Sequence, residues 1–63
     1  MKELREIRKA QKLTQAELAS KVKVTQGAVS AWETGLYNPN TRKLKQLARE
    51  LDCSVDKLIE DTK

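Results

Sequence analysis

The chain has 63 residues, a formal net charge of +4, 38% hydrophobic residues, one cysteine and no histidine. This length suits one small domain, and the sequence has neither an apolar run that could cross a bilayer nor a secretory signal, so we expect a cytoplasmic location. Without histidine as a general base or metal ligand, and with Cys53 as the only thiol, we expect a structural cysteine and no enzyme activity, metal or cofactor.

The first part of the chain predicts two short helices. The first covers about residues 2–11. The motif Thr14-Gln15-Ala16-Glu17 forms a capping box, in which the side chains of residues 14 and 17 each satisfy a free backbone amide. This box opens a second helix that runs to about Lys21, and a tight connection of two residues follows it.

Three further helices are predicted after this connection. Thr25 caps the third, which stops at Gly35 because glycine adopts the left-handed C-terminal conformation at little steric cost. Asn40 caps a fourth helix with an amphipathic apolar stripe, and Ser54 caps a short fifth helix. No segment alternates like a strand. The predicted fold class is therefore all-α, with five short helices around one core.

The third predicted helix has an unusual surface for a chain in which 35% of the residues are charged. Its buried side carries Val29 and Trp32, and its other side is expected to carry small or neutral residues: Gln26, Gly27, Ser30, Ala31 and Thr34. A glycine inside an exposed helix costs about 1 kcal/mol relative to alanine, so stability does not explain Gly27. Such a face allows another surface to approach the helix backbone closely.

Two kinds of surface could approach this face. A glutamine amide can pair with an adenine edge in the major groove, and small apolar side chains pack against thymine methyl groups, which favours DNA. A protein partner or a second subunit could also pack closely against small residues. From this helix alone, both interpretations stay open.

The charge distribution adds a second observation. Residues 1–25 carry seven Lys or Arg against three Glu, residues 41–51 carry four against one, and residues 26–40 hold only Glu33. A neutral segment between two basic ones suits a polyanion that is held at its backbone and read in the middle. Solvated basic faces on a small protein explain the same pattern equally well.

The segment LTQAELASKVKVTQGAVSAWETG, followed by Pro39 and LKQLARELDCSVDKL, resembles the phage repressor/Cro type of helix-turn-helix protein, also called the xenobiotic-response-element (XRE) type. The resemblance covers almost the whole chain. It implies a single lambda-repressor-like domain over residues 1–63, with the helix-turn-helix at about residues 14–35. It also implies a transcriptional regulator that binds double-stranded DNA, usually as a homodimer on an inverted-repeat operator. Our leading hypothesis is that this regulator is a repressor.

The resemblance also implies roles for individual residues. Base contacts are expected from four residues of the third helix: Gln26, Gly27, Ser30 and Ala31. Contacts to the DNA backbone are expected from residues around it: Gln15, Lys23, Thr25, Thr34, Tyr37, Asn38 and Arg42. A structural ion pair is expected between Arg8 and Glu33, because an unneutralised carboxylate on this helix would repel phosphate.

The sequence departs from the family pattern at four positions. Lys23 and Asp52 stand where the family often has glycine, and neither residue adopts a left-handed backbone as readily as glycine does. Gly27 and Ala31 replace the longer polar residues that many relatives use for base contacts. We therefore expect Gln26 to be prominent in direct readout and DNA shape to contribute more.

Two further expectations concern protein contacts. The alternative function is a protein-interaction module of the antitoxin type that uses the same fold mainly to bind another protein. If the chain forms a dimer, the surface is expected to involve Leu58, Ile59 and Leu36. The competing interpretation is that these residues only close the core.

Overall fold

A computed structural model describes residues 1–59 of the chain. This range holds five α-helices and no strand: α1 (Lys2–Ala10), α2 (Gln15–Lys21), α3 (Gln26–Thr34), α4 (Thr41–Glu50) and α5 (Val55–Leu58). The all-α class and the five helices predicted from the sequence are confirmed over these residues. No helix in residues 1–59 has the length and apolar character needed to span a membrane.

The helices after α1 begin at side-chain caps. Thr14, Thr25, Asn40 and Ser54 each accept a hydrogen bond from the backbone amide three residues later, over 2.9–3.1 Å. At the start of α2 the Glu17 carboxylate also accepts from the Thr14 amide at 2.8 Å, which completes the capping box. These bonds satisfy amides that have no partner within the helix, so the residues themselves set the starts of the helices.

Four of the helices also end in the same way. The residue that follows the last turn has a left-handed backbone at Lys12 (φ 59°), Lys23 (φ 60°), Gly35 (φ 82°) and Asp52 (φ 53°). The next amide along the chain bonds back to the carbonyl five positions earlier, over 2.9–3.2 Å, which is the Schellman motif. Lys23 and Asp52 therefore occupy glycine-type positions, as their place in the family pattern indicates.

The core lies where the five helices meet. The side chains with the least exposure are leucines and valines of α1 to α5 and the connections between them: Leu4, Leu18, Val22, Val29, Leu47, Leu51 and Leu58. Helices α2 and α3 pack on each other, α1 contacts both α3 and α5, and α4 packs on α5. Met1 is also buried, and its terminal ammonium donates to the Trp32 carbonyl at 2.9 Å, near the end of α3.

The predicted dimer residues divide between the core and the surface. Leu58 is fully buried, and Ile59 packs against the core, so for both residues the structure agrees with the interpretation that they close the core. Leu58 is therefore unavailable to a dimer surface, because its side chain completes the packing of α5. Leu36, by contrast, is 76% exposed and does not contribute to the core.

Candidate nucleic-acid interface

The exposed surface of α3 is free of charged side chains. Gln26 and Gly27 are exposed in its first turn, Ser30 is half-buried in the middle, and Thr34 is exposed at the end. Glu33, the acid of this helix, is buried beneath that surface with 5% exposure. The structure thus brings Gln26, Gly27, Ser30 and Thr34 to one neutral surface.

Ala31 does not belong to this surface. It is only 7% exposed, so the sequence-based expectation of an exposed, base-contacting Ala31 needs correction. Its side chain is a single methyl group, and the chain after α3 is tied to its carbonyl through the amide of Leu36 (3.0 Å) and the hydroxyl of Thr34 (3.3 Å). This return of the chain leaves little of Ala31 open to a partner.

Packing within the protein does not require a glycine at position 27. A methyl group built on it would meet only the Thr25 Oγ1 atom, at 3.8 Å, which is an ordinary van der Waals distance. Its backbone is helical and needs no left-handed conformation. The space in front of the Gly27 backbone is therefore open towards solvent, where an approaching molecule can reach it.

The Glu33 carboxylate is held by a two-pronged contact from α1. Arg8 Nε lies 2.7 Å from Oε2, and Arg8 Nη2 donates to Oε1 at 3.2 Å. Arg8 is itself buried, and its Nη1 donates to the Leu13 carbonyl at 2.7 Å. The ion pair expected between Arg8 and Glu33 is present, and it neutralises the acid beneath the α3 surface.

The protonation of Glu33 follows from opposing effects. Burial alone would raise its pKa, but hydrogen bonds from Arg8 and Gln15 and the charges of Arg8 and Arg5 outweigh burial and hold the pKa below the ordinary 4.5. Glu33 is therefore ionised at neutral pH. Its charge is compensated locally, so the surface of α3 remains available to an anionic ligand.

Arg5 is a second cation at this carboxylate that sequence reasoning missed. Its Nε lies 3.6 Å from Glu33 Oε1, and its side chain is 42% exposed. Two guanidinium groups facing one carboxylate leave a local excess of one positive charge. The helical spacing of Arg5 and Arg8, three positions apart on α1, was the available signal, because such residues share a face.

The two glutamines at the starts of α2 and α3 are connected. Gln15 Nε2 donates to Glu33 Oε1 at 3.0 Å, which turns its Oε1 towards Gln26. Gln26 Nε2 donates to that oxygen at 3.5 Å, a long bond that a ligand can replace at little cost. The buried ion pair thus positions Gln15, and Gln15 contacts the exposed amide of Gln26.

The expected backbone-contacting residues are accessible. Gln15 is half-buried, and the others are exposed: Lys23, Thr25, Thr34, Tyr37, Asn38 and Arg42. Thr25 Oγ1 accepts the Ala28 amide at 3.1 Å, so its hydroxyl proton remains free to be donated. These residues come from the ends of α2 and α3, the loop after α3 and the start of α4.

The described residues offer little to a metal or a nucleophilic reaction. Within residues 1–59 no group of three or more His, Cys, Asp or Glu side chains could hold a metal ion. Burial, followed by the charge of Asp52, raises the pKa of the Cys53 thiol, which keeps it protonated at neutral pH. Cys53 is partly buried and packs against the core, as expected of a structural cysteine.

Comparison with known proteins identifies relatives. A helix-turn-helix family model matches residues 4–58. The HTH-type transcriptional activator BcrR of Enterococcus faecalis is 34% identical over 56 residues, which cover 89% of this chain and 28% of BcrR. Two uncharacterized HTH-type transcriptional regulators of Bacillus subtilis (strain 168), YqaE and YobD, are 38% and 39% identical over 56 residues, covering 89% of this chain and 48% and 50% of their own lengths. No solved structure matches the chain significantly.

The match and the geometry describe the same segment. The chain spans half or less of the length of these curated relatives. The matched regions nevertheless cover most of this chain. The family model runs from within α1 to the end of α5, and it includes the packed pair α2 and α3 with their capped starts. The chain therefore belongs to the repressor/Cro (XRE) type of helix-turn-helix proteins, a family of DNA-binding transcriptional regulators and not of enzymes.

Proposed function

We propose that this chain is a sequence-specific double-stranded DNA-binding domain that represses transcription. In this proposal residues 1–63 form a single domain in the cytoplasm, and α3 enters the major groove of an inverted-repeat operator. Two copies of the chain occupy the two half-sites as a homodimer on the DNA. The relatives named as transcriptional regulators support the regulatory role.

One observation carries the proposal. Gln26 extends from the first turn of α3, next to Gln15 at the start of α2, above an acid whose charge is already compensated. A glutamine amide can donate and accept at an adenine edge together, and helix N-termini favour contact with phosphate. The exposed surface of α3 therefore offers a glutamine that can hydrogen-bond to a base and carries no charge that would repel phosphate.

The proposed contacts divide into two groups. Gln26 and Ser30 contact base edges, and Gly27 permits the close approach that these contacts need. Contacts to the sugar-phosphate backbone come from the residues that surround this surface: Gln15, Lys23, Thr25, Thr34, Tyr37, Asn38 and Arg42. We add Arg5 to the second group, because its exposed guanidinium adds positive charge beside Gln15 and Glu33.

The direct test is selection from a random pool of DNA duplexes at physiological salt. An enriched inverted repeat is the expected result, and its half-site spacing gives the separation of the two protomers. Recovery of sequences without enrichment would instead favour the protein-interaction module of the antitoxin type. A reporter promoter that overlaps the enriched repeat then shows whether the chain lowers transcription, as a repressor does, or raises it.

A further inference from the structure

A cationic groove lies along α4. Its main part has a volume of about 430 Å³ and is lined by Thr41, Arg42, Lys45, Gln46 and Arg49. A smaller recess of about 150 Å³ continues it between α4 and the end of α2, with Lys21 and Lys23 on the far wall. Gln46 and Arg49 line both parts, so the two form one groove.

The cations of this groove are not used within the described part of the chain. Lys21, Lys45 and Arg49 form no ion pair and no side-chain hydrogen bond with any of residues 1–59. By contrast, Arg8 is fully engaged with Glu33 and the Leu13 carbonyl. The groove therefore concentrates positive charge that has no internal partner.

Lys43 connects two of the residues that line the groove, Val22 and Gln46. Its Nζ donates to the Val22 carbonyl at 2.8 Å, at the end of α2, and to Gln46 Oε1 at 3.0 Å. This side chain therefore links α4 to the end of α2. With its oxygen engaged by Lys43, Gln46 is left with its amide N–H groups to donate. The groove thus presents hydrogen-bond donors and positive charges, and Glu50 is the one acid among its lining residues.

The groove borders the proposed DNA-backbone contacts, because Lys23 and Arg42 line it, but it is distinct from the proposed base-contacting surface. No residue of α3 lines it. Gln15, at the start of α2, lies beside Gln26, and Lys21, at the end of α2, lines the groove. The two residues are six positions apart, which is about 9 Å along the helix. Lys45 and Arg49 are not among the proposed DNA-backbone contacts, so they remain available to a second anionic ligand.

We propose that this groove binds an acidic segment of a partner protein. An arginine fork pairs with a carboxylate through two parallel hydrogen bonds, and a lysine adds a compact charge. Lys45 and Arg49 are separated by one helical turn, about 6 Å. Side chains at alternate positions of an extended peptide are about 7 Å apart. An extended segment with Asp or Glu at alternate positions therefore matches Lys45 and Arg49, and it binds while α3 remains available to DNA.

A labelled peptide of alternating Glu and Ser tests the proposal, with a Gln and Ser peptide of the same length as its control. Fluorescence anisotropy at physiological salt should show binding of the acidic peptide only. The double variant Lys45→Ala/Arg49→Ala should weaken this binding at least about tenfold. A matched variant, Lys9→Ala/Lys12→Asn, removes two exposed cations elsewhere and should change it by no more than about twofold. Asparagine is chosen at Lys12 because it tolerates the left-handed backbone there.

Two further measurements separate this surface from the DNA surface. In amide NMR spectra the acidic peptide should shift residues around Gln46 and Arg49 and leave Gln26 and Ser30 unmoved. The Lys45→Ala/Arg49→Ala variant should bind duplex DNA like the unmodified chain, with circular dichroism confirming its fold. Equal loss of peptide binding in both double variants would overturn the proposal. So would weaker DNA binding with a smaller salt slope, because the groove would then belong to the DNA contact.

Discussion

Glu33 shows how a single side chain can serve both the fold and the interface. Its carboxylate accepts hydrogen bonds from Arg8 and Gln15, and Arg5 lies 3.6 Å away. Arg8 stabilises the packing of α1 on α3, and Gln15 reaches Gln26 at the surface. A change at Glu33 therefore alters the buried charges and the position of the exposed glutamines together.

Replacing Glu33 with glutamine should destabilise the fold strongly. The substitution leaves the buried Arg8 guanidinium without its counter-charge, which costs about 3–5 kcal/mol when a buried pair is broken. Urea denaturation measures the change in the free energy of unfolding. The control is Glu6→Gln, at an exposed acid of α1, which should change it by less than about 0.5 kcal/mol. Similar small losses in both variants would show that the Arg8–Glu33 pair contributes little.

Replacing Gln26 with alanine should change recognition and leave the fold intact. Gln26 is exposed, so the free energy of unfolding should stay within about 0.5 kcal/mol of the starting value. Binding to the selected operator should weaken by about 1–3 kcal/mol, with relaxed preference at one base pair. Arg42→Ala should weaken binding to all sequences alike and reduce the salt slope by about one. A Gln26→Ala protein that discriminates operator variants as before would contradict the assigned base contact.

Gly27→Ala should separate stability from binding. The new methyl group meets only the Thr25 oxygen at 3.8 Å, and alanine favours helix over glycine by up to about 1 kcal/mol. The thermal midpoint should therefore stay or rise. Operator affinity should fall about tenfold, because in the proposed complex the methyl group occupies the space through which DNA approaches the helix. Unchanged affinity, measured beside Gly27→Ser, would mean that close approach at this position is not needed.

At the scale of the elements, the helix ends are formed by local sequence. Each cap at the start of a helix joins residues three positions apart, and each Schellman motif spans six. Gly35 meets its left-handed conformation without strain, whereas Lys12, Lys23 and Asp52 each place a side chain there. These three ends are consequently less stable than glycine would make them.

Asp52→Gly should stabilise the protein by about 1 kcal/mol. Glycine relieves the left-handed backbone, and the change also removes a negative charge from the negative end of α4. Asp52→Asn isolates the charge, since asparagine tolerates this backbone, and should give part of the gain. Both are measured by urea denaturation, beside Gly35→Ala, which should lose about 1 kcal/mol. A destabilised Asp52→Gly protein would show that Asp52 has a compensating role.

At the scale of the whole molecule, stability should depend on pH through Glu33. Its pKa is lowered in the folded state, so the folded protein binds fewer protons than the unfolded chain. The stabilisation is fully present above the ordinary value of 4.5 and is lost as the pH falls through the lower folded pKa. NMR titration of the Glu33 side-chain carboxyl carbon should give a midpoint below 4.5. A midpoint above that value would mean that burial outweighs the arginines.

The sequence predicted those features that depend on neighbouring residues. The caps at Thr14 and Asn40 satisfy amides within the same turn, so a short motif identifies them. The burial of Ala31 was not predicted, because it depends on the return of the chain after α3. Arg5 and Gln46 were also missed. Their surroundings arise from packing between helices that are distant in sequence. Helical periodicity predicts which residues share a face of a helix, but it does not predict what that face contacts.

The exposed residues of α3 are separate from the buried carboxylate below them, and this separation bears on how DNA-binding specificity can evolve. Gln26, Gly27 and Ser30 contribute little to the hydrophobic core, whereas Arg8 and Glu33 hold two helices together. Under the proposed function, new operator preferences can therefore arise by exchanging these outward residues while the Arg8–Glu33 ion pair stays constant. Duplicated copies of such a gene could diverge into regulators of different promoters without rebuilding the scaffold.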